Sequence, residues 1–201
     1  MSVEPETWVV VLVKDFDSAK QRLRPALDAS ARRSLALNNA RLAVDAAAAG
    51  GHVLVVAGSE QVADLAAVWG SDVLLEPRQE GQNVAARRGI DRAVAAGAGA
   101  VLVLSSDLPL VTSDSIRGLI VAAESVGSPV VVAAPAVGRG GTNALYLRPP
   151  GAIGLHFGDD SLAKFRHEAE TRGVGFLVHH SDAMALDLDE PTDLDRLRRA
   201  G

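Results

Sequence analysis

Short apolar segments recur along the chain, and most of them are rich in valine. They lack the alternation of apolar and polar residues that marks a strand with one face in water. A continuous apolar run of four to six residues, as found here, is typical of a strand covered on both faces. The pattern therefore predicts buried strands at 8–13, 52–57, 72–75, 100–105 and 130–134.

Segments with helical spacing lie between these strands. Each begins near a residue whose side chain can accept a hydrogen bond from the first turn, and several end at glycine. The predicted helices begin at Asp28 or Ser30, at Ser59, near Asn83, and at Thr112 or Ser113. Strand and helix thus alternate from residue 8 to about 135, which predicts a mainly parallel sheet with right-handed crossovers.

The alternation ends after residue 135, where a segment rich in glycine and proline follows. Beyond it, the pattern predicts a helix from about Ser161 to Arg172 and a strand around 176–179. A chain of 201 residues can bury one sizeable core, and no linker or repeat divides it. We therefore predict one α/β domain over residues 1–201, with the sheet sandwiched by helices. Ligands bind beyond the carboxyl ends of strands in such sheets, so the residues after each apolar run are candidates for chemistry.

Composition and charge narrow the classes of function. A net charge of −5 argues against nucleic acid or a membrane surface as the partner, because both require a basic face. No apolar run approaches the ~18 residues of a membrane span, and the N-terminus lacks a signal-peptide pattern. We therefore expect a cytoplasmic protein. The absence of cysteine excludes disulfides, thiolate metal sites and cysteine nucleophiles, and leaves small-molecule chemistry as the better expectation.

The loop after the first strand is basic. Only three of the 20 lysines and arginines are lysines, and two of these, Lys14 and Lys20, lie in this loop with Arg22 and Arg24. The loop contains no glycine, so it is neither a dinucleotide-binding loop nor a P-loop. Four cations at the ligand edge can hold a polyphosphate and offset charge while a nucleotidyl group moves. A solvated loop paired with its own aspartates is the alternative.

The fourth strand runs into SSDLP, which puts Asp107 just beyond the end of a buried strand. An ionised carboxylate at that place must be solvated, hydrogen-bonded or bound to a cation. One interpretation is a metal ligand. The other is a residue that organises the turn toward the next helix.

Asp187 and Asp189 lie two residues apart in an extended, apolar setting, so their side chains face the same side at a Cα separation of roughly 6–7 Å. Two like charges so placed are costly without a cation nearby. A pair of Mg²⁺ ions would satisfy them if Asp107 supplied a third ligand. The alternative is that Asp189 or Glu190 caps the last helix, with Pro191 in its first turn.

Two glycine-containing segments offer anion sites. GRGGTN supplies Arg139, Thr142 and the N–H groups of a turn, and FGDDS places Gly158 and Ser161 at a helix start. Backbone N–H groups and the helix dipole favour an anion there. Together these residues could hold a small carboxylated or phosphorylated acceptor. Ordinary loop and cap chemistry is the alternative.

Six motifs, taken in order, resemble those of the CofC/FbiD family over about residues 8–197. They are VKDFDSAKQRL, EPRQEGQN, DLPLVT, GTNALYLRPPG, FGDDS and ALDLDEPTDL. Members of this family are guanylyltransferases of deazaflavin coenzyme F-420 biosynthesis. Their fold is of the nucleotide-diphospho-sugar-transferase type, which is GT-A-like and Rossmann-like.

The resemblance implies transfer of GMP from GTP to the phosphate of a three-carbon acid, either phosphoenolpyruvate or 2-phospho-L-lactate, with Mg²⁺, expected as two ions. Asp107, Asp187 and Asp189 would be the metal ligands. The substrate contacts implied or suggested are Lys14, Lys20 and Arg22 for the triphosphate, the loop from Glu76 to Asn83 for the nucleotide, and Arg139, Thr142, Gly158 and Ser161 for the acceptor. The turn reads GRGGTN where the family usually has GTGTN, so its first threonine is replaced and Arg139 lies nearby, which leaves acceptor choice open.

Several functions are compatible with these residues. Preference for arginine over lysine and a high alanine content resemble high-GC coding, which favours the bacterial acceptor, phosphoenolpyruvate. The alternatives are 2-phospho-L-lactate as acceptor, a different sugar-phosphate nucleotidyltransferase, a D-x-D glycosyltransferase, and a non-catalytic nucleotide-binding module. A homodimer is a further hypothesis that rests on no motif.

Overall fold

A computed structural model describes residues 6–138 and 140–200. The described part contains β1 (Thr7–Val13), α1 (Ala29–Ala47), β2 (His52–Ala57), α2 (Glu60–Val68), β3 (Asp72–Leu75), α3 (Gln82–Ala95), β4 (Ala100–Ser105), α4 (Ser113–Val126), β5 (Val130–Pro135), β6 (Thr142–Arg148), α5 (Ser161–Arg172), β7 (Gly175–Val178), α6 (Asp182–Ala185) and α7 (Pro191–Ala200). A single 3₁₀ turn, Gln21–Leu23, lies between β1 and α1. None of the helices in this part has the length and apolar character needed to cross a lipid bilayer.

The seven strands form one sheet in the order β3-β2-β1-β4-β6-β5-β7. Neighbouring strands from β3 to β4 pair in parallel, as do β5 and β7. Strand β6 runs antiparallel to both of its neighbours, β4 and β5. The predicted mainly parallel sheet is confirmed, with β6 as the one reversed strand within it.

Helices cover both faces of the sheet, which explains why its strands are apolar without alternation. In β1, Val9 and Val11 pack in a core cluster with residues of α1, α2 and α4. Val10, between them, packs in a second cluster with residues of α3 and α5. Successive side chains of a strand point to opposite faces, so both faces of β1 are buried.

The strand prediction is confirmed for the first five runs, with β2, β3 and β4 at the predicted bounds and β1 and β5 longer by one residue. The predicted helix starts at Asp28, Ser59 and Thr112 are also confirmed. Their side chains accept hydrogen bonds from backbone N–H groups three residues on, at 2.8, 3.4 and 3.2 Å, respectively. These features depend on local pattern, which the sequence carries directly.

The segment after residue 135 contains a strand that the sequence analysis did not identify. Thr142–Arg148 forms β6. The short apolar run of this strand is flanked by glycines and prolines, which mask it as a strand. The short return from β5 to β6 produces an antiparallel pair, for which no crossover helix is needed.

Two glycines in helices give a test of how tightly α3 packs on the sheet. A Cβ at Gly89, in α3, would lie 2.3 Å from Val10 Cγ1, whereas a Cβ at Gly118, in α4, would make an ordinary contact with His179 at 3.7 Å. We expect Gly89→Ala to lower the free energy of unfolding by about 1–3 kcal/mol. Gly118→Ala should leave it unchanged or raise it by up to about 1 kcal/mol. Urea denaturation followed by circular dichroism measures both, and equal effects would contradict the packing argument.

Candidate active site

A cavity of about 350 Å³ opens at the edge of the sheet where the parallel strands end. Because β6 is antiparallel to β4, its first residue, Thr142, lies at the same edge as the last residue of β4, Ser105. Both residues line the cavity. The reversed strand therefore contributes its amino end to a site that the other strands form with their carboxyl ends.

The cavity brings together most of the predicted site residues. Those that line it are Lys14, Arg22, Asp107, Thr142, Gly158, Asp187 and Asp189. A second cavity of about 250 Å³ adjoins it and is lined by Lys20 together with Lys14, Arg22, Asp107 and Asp189. Asn83 and Ser161 bond to segments of the wall, and Arg139 lies outside the described residues. The fold thus brings most of these residues to one cavity, and their roles in binding and catalysis stay predictions.

Lys20 connects three distant segments. Its side chain is only 1% exposed, and its Nζ lies 2.7 Å from Asp107 Oδ1 and donates to the carbonyl oxygen of Leu188 at 2.6 Å. The Leu188 N–H in turn donates to the carbonyl oxygen of Asp107 at 3.1 Å. Lys20 therefore holds Asp107 against the segment that carries the other two aspartates. Its contact with a triphosphate stays a prediction.

Arg22 forms ion pairs with Asp189 and Glu190 at the surface of the protein. Its Nη1 lies 2.9 Å from Asp189 Oδ2 and 3.7 Å from Glu190 Oε1, and its side chain is 63% exposed. An exposed ion pair of this kind contributes about 0–1 kcal/mol. Arg22 can therefore exchange a carboxylate for a phosphate at little cost.

Asp193 is a residue that the sequence analysis missed. It is buried, and its Oδ2 accepts hydrogen bonds from the backbone N–H groups of Asp189 at 3.0 Å and Glu190 at 2.8 Å. Its Oδ1 accepts one from Arg196 at 3.0 Å. An acidic residue two positions after a proline that begins a helix is the available signal, because such a residue can reach back to the cap. Asp193 therefore fixes the backbone that carries Asp189.

The donor chemistry at the centre of the cavity suits Mg²⁺. Asp107, Asp187 and Asp189 all line it, and carboxylate oxygens are the hard ligands that this ion prefers. Among the described residues, however, no group of three or more histidine or acidic side chains is close enough to hold an ion as it stands. Lys20 and Arg22 pair with two of the three aspartates. An ion would compete with these cations, and the metal site stays a prediction.

Thr142 lines the cavity, and Ser161 supports it from within the protein. Ser161 is fully buried, and its hydroxyl donates to Thr142 Oγ1 at 3.0 Å. The Thr142 hydroxyl, as acceptor of this bond, keeps its own proton for another partner. Gly158 lies beside it with φ +124°, a conformation that favours glycine. Ser161 thus orients Thr142, and Gly158 leaves its backbone open to the cavity.

Asn83 supports the wall near Gly158 without lining the cavity. Its Nδ2 donates to the carbonyl oxygen of Phe157 at 3.0 Å, and its Oδ1 accepts from the Phe157 N–H at 2.8 Å. The amide therefore satisfies both backbone groups of the residue before Gly158. Asn83 lies in the first turn of α3, next to Gln82, which does line the cavity. Its geometry is that of a positioning residue.

Glu168, on α5, anchors the chain that leads to Phe157. Its Oε1 accepts from the Gly154 N–H at 3.0 Å and pairs with Arg172 at 2.6 Å, while Oε2 contacts His156. Burial alone would raise the pKa of Glu168, but the bonds from Gly154 and His156 and the charge of Arg172 together lower it. No motif marked this residue, because its partners are scattered along a loop.

Another part of the cavity combines apolar and polar residues. Leu12, Val56 and Ala85 give it an apolar wall. Glu76, Gln79, Gly81 and Gln82 line it as well, and they belong to the loop that the sequence analysis placed near a nucleotide. A flat heterocycle could lie against the wall while its polar edge meets the loop. The cavity therefore has a place for a base, an acidic centre and a place for a small anion.

Comparison with known proteins supports this interpretation. The family model described as guanylyl transferase CofC like matches residues 7–200. A phosphoenolpyruvate guanylyltransferase of Rubrobacter xylanophilus is 41% identical over 199 residues, which cover 96% of this chain and 94% of that protein. A 2-phospho-L-lactate guanylyltransferase of Methanothermobacter thermautotrophicus is 34% identical, with 96% and 84% covered.

A solved structure confirms the predicted fold type. The crystal structure of a Desulfovibrio desulfuricans protein described as a nucleotide-diphospho-sugar transferase superimposes with a TM-score of 0.73, covering 98% of this chain and 88% of that one. The two sequences are 16% identical, so the likeness extends to the fold alone.

A comparison of the two lysines tests the structural role of Lys20. We expect Lys20→Met to lower the free energy of unfolding by about 2–4 kcal/mol, because it leaves Asp107 without its buried partner and the Leu188 carbonyl without its donor. Lys14 is exposed, so Lys14→Met should change it by no more than about 0.5 kcal/mol. Urea denaturation of both variants is the measurement. A Lys20→Met protein as stable as Lys14→Met would show that the buried pair does not hold these segments together.

Proposed function

Because this chain belongs to the family of CofC-like guanylyl transferases, we propose that it transfers GMP from GTP to the phosphate of phosphoenolpyruvate. The products would be enolpyruvyl-diphospho-guanosine and pyrophosphate, in the biosynthesis of the deazaflavin coenzyme F-420. The observation that carries the proposal is one cavity lined by an apolar surface, by three aspartates and by Thr142 and Gly158. These groups suit a nucleotide base, a reacting phosphate and an acidic acceptor, respectively.

The choice of acceptor rests on the relatives. The protein at 41% identity is named for phosphoenolpyruvate, and the one at 34% for 2-phospho-L-lactate. Both acids carry a carboxylate next to a phosphorylated carbon, which the Thr142 hydroxyl and the Gly158 backbone could bind equally. These contacts support a three-carbon acid, and the higher identity favours phosphoenolpyruvate. 2-Phospho-L-lactate is the second candidate.

The proposed reaction is an in-line displacement. An oxygen of the acceptor phosphate attacks the α-phosphorus of GTP, a new P–O bond forms, and the bond from the α-phosphorus to the bridging oxygen of pyrophosphate breaks. Asp107, Asp187 and Asp189 would hold Mg²⁺, which supplies charge neutralisation for the triphosphate when bound. Lys14 and Arg22, both on the cavity wall, would offset the charge on the departing pyrophosphate. No covalent enzyme intermediate is required, because the acceptor is already an anion.

The comparisons do not support the more distant alternatives. Membership of a guanylyltransferase family makes the chain a nucleotidyltransferase, and neither a D-x-D glycosyltransferase nor a non-catalytic nucleotide-binding module shares that description. A cytoplasmic location and a homodimer stay predictions.

Mass spectrometry of the product tests the reaction. The purified chain would be incubated with GTP and Mg²⁺ and with phosphoenolpyruvate, 2-phospho-L-lactate, 3-phosphoglycerate or a hexose 1-phosphate, one acceptor at a time. We expect the enolpyruvyl-diphospho-guanosine adduct to form fastest, with equimolar pyrophosphate. A faster adduct with 2-phospho-L-lactate would favour the second candidate. Transfer to the sugar phosphate, with none to any three-carbon acid, would overturn the proposal.

The acidic centre has its own test. We expect Asp107→Asn and Asp187→Asn each to lower kcat/KM for pyrophosphate release by about 100-fold or more, because each removes a ligand of the ion that stabilises the transition state. Asp159 also lines the cavity but belongs to the acceptor end, so Asp159→Asn serves as the matched control and should lose less than about tenfold. Circular dichroism would verify folding. Full activity of Asp107→Asn would exclude it as a metal ligand.

A further inference from the structure

One arginine of α3, Arg88, forms hydrogen bonds with three residues of the loop from Glu76 to Gly81. Arg88, on α3, donates from Nη1 to Glu76 Oε1 at 2.9 Å and to the carbonyl oxygen of Arg78 at 3.0 Å. Its Nη2 bonds to the carboxylate of Glu80. The planar guanidinium fixes three points of the loop at once, which a lysine could not do. The loop is thus held in one shape while it forms a wall of the cavity.

The carboxylate of Glu76 is buried in that wall. The residue lines the cavity, its side chain is 8% exposed, and its backbone N–H donates to the carbonyl oxygen of Ala57 at 2.9 Å. A charged side chain is rarely buried to this degree without a partner, and Arg88 provides one. The bond to Arg88 engages Oε1, whereas a carboxylate has two oxygens and about four acceptor sites. Glu76 can therefore accept from a ligand as well.

The surroundings of Glu76 suit a purine. Leu12, Val56 and Ala85 offer an apolar surface on which a ring can lie, and Gln79 and Gln82 also line the cavity. Guanine presents two adjacent donors on one edge, N1–H and the 2-amino group. Adenine presents an acceptor, N1, beside its 6-amino donor. A carboxylate only accepts, so it complements the guanine edge and opposes the adenine edge.

We infer that Glu76 selects guanine by accepting hydrogen bonds from this edge, and that Arg88 is the positioning residue that holds the carboxylate in place. The inference rests on the proposed function, since it takes the substrate to be a guanine nucleotide. It adds the residue that distinguishes guanine from other bases.

Glu80 provides an internal control. It pairs with the same guanidinium, but its side chain is 50% exposed and lines neither the cavity that contains Glu76 nor the second cavity that adjoins it. Replacing Glu80 by glutamine removes one carboxylate from Arg88, as replacing Glu76 does. Only the Glu76 substitution removes an acceptor from the cavity wall.

Equilibrium binding of GTP and ITP in the presence of Mg²⁺, measured by isothermal titration calorimetry, tests the assignment without turnover. ITP lacks the 2-amino group. We expect the wild-type chain to bind GTP about tenfold or more tightly than ITP, because a buried charged acceptor loses a bond with ITP. Glu76→Gln should bring the two affinities within about threefold, and Glu80→Gln should keep the wild-type ratio. Arg88→Lys keeps the positive charge but loses the planar guanidinium with its several donors, so it should lower the ratio at least about threefold.

The ratio of the GTP and ITP affinities distinguishes a loss of base selection from a loss of stability. A destabilised protein would bind both nucleotides less tightly by the same factor, so the ratio would not change. Equal affinities in the wild type, or a Glu76→Gln variant with the wild-type ratio, would overturn the inference. GTP-selective binding without transfer to any three-carbon acid would overturn the proposed reaction and leave the inference standing. Failure of the wild type to bind either nucleotide would overturn both.

Discussion

The buried ammonium of Lys20 determines how the centre of this site is assembled. An ammonium removed from water is costly unless it is paired and hydrogen-bonded. Here its partners are Asp107, at the end of β4, and the Leu188 carbonyl, in the segment before α7. Satisfying the charge requires all three segments to meet at one place. Lys20 therefore ties the turn that carries Asp107 to the segment that carries Asp187 and Asp189.

The two cations at this centre differ in what they can do. The Lys20 side chain is buried but that of Asp107 is 35% exposed, so separating the two costs about 2–4 kcal/mol, less than for a fully buried pair. Arg22 is exposed, and its pair with Asp189 contributes little. The first pair is suited to maintaining the site, and the second to opening when an anionic substrate arrives. Arg88 likewise forms one buried and one exposed ion pair. Its partner Glu76 is 8% exposed, and its partner Glu80 is 50% exposed.

Strand direction explains the acceptor end. Had β6 been parallel to β4, Thr142 would lie at the opposite edge of the sheet from the aspartates. Because β6 is reversed, Thr142 faces the cavity and meets Ser161 at the start of α5. Asn83 then joins the two ends, since it follows the loop of the base end and bonds to Phe157, next to Gly158. The two proposed substrate regions are thus linked by hydrogen bonds through Asn83.

Five strands and several helix starts followed from the sequence, as did a set of polar residues that the fold brings to one cavity. Apolar runs, capping side chains and polar residues just beyond a strand are local patterns, and local patterns are fixed by neighbouring residues. The reversal of β6, the partner of Lys20 168 residues away, the amide pair of Asn83 and the clamp of Arg88 were decided by the tertiary structure. The contacts of Lys20 and Asn83 depend on which distant segments the sheet order brings together, and the clamp of Arg88 depends on how the loop before α3 folds back on that helix. A single sequence specifies which side chains can accept or donate, and only the folded chain decides which of them meet.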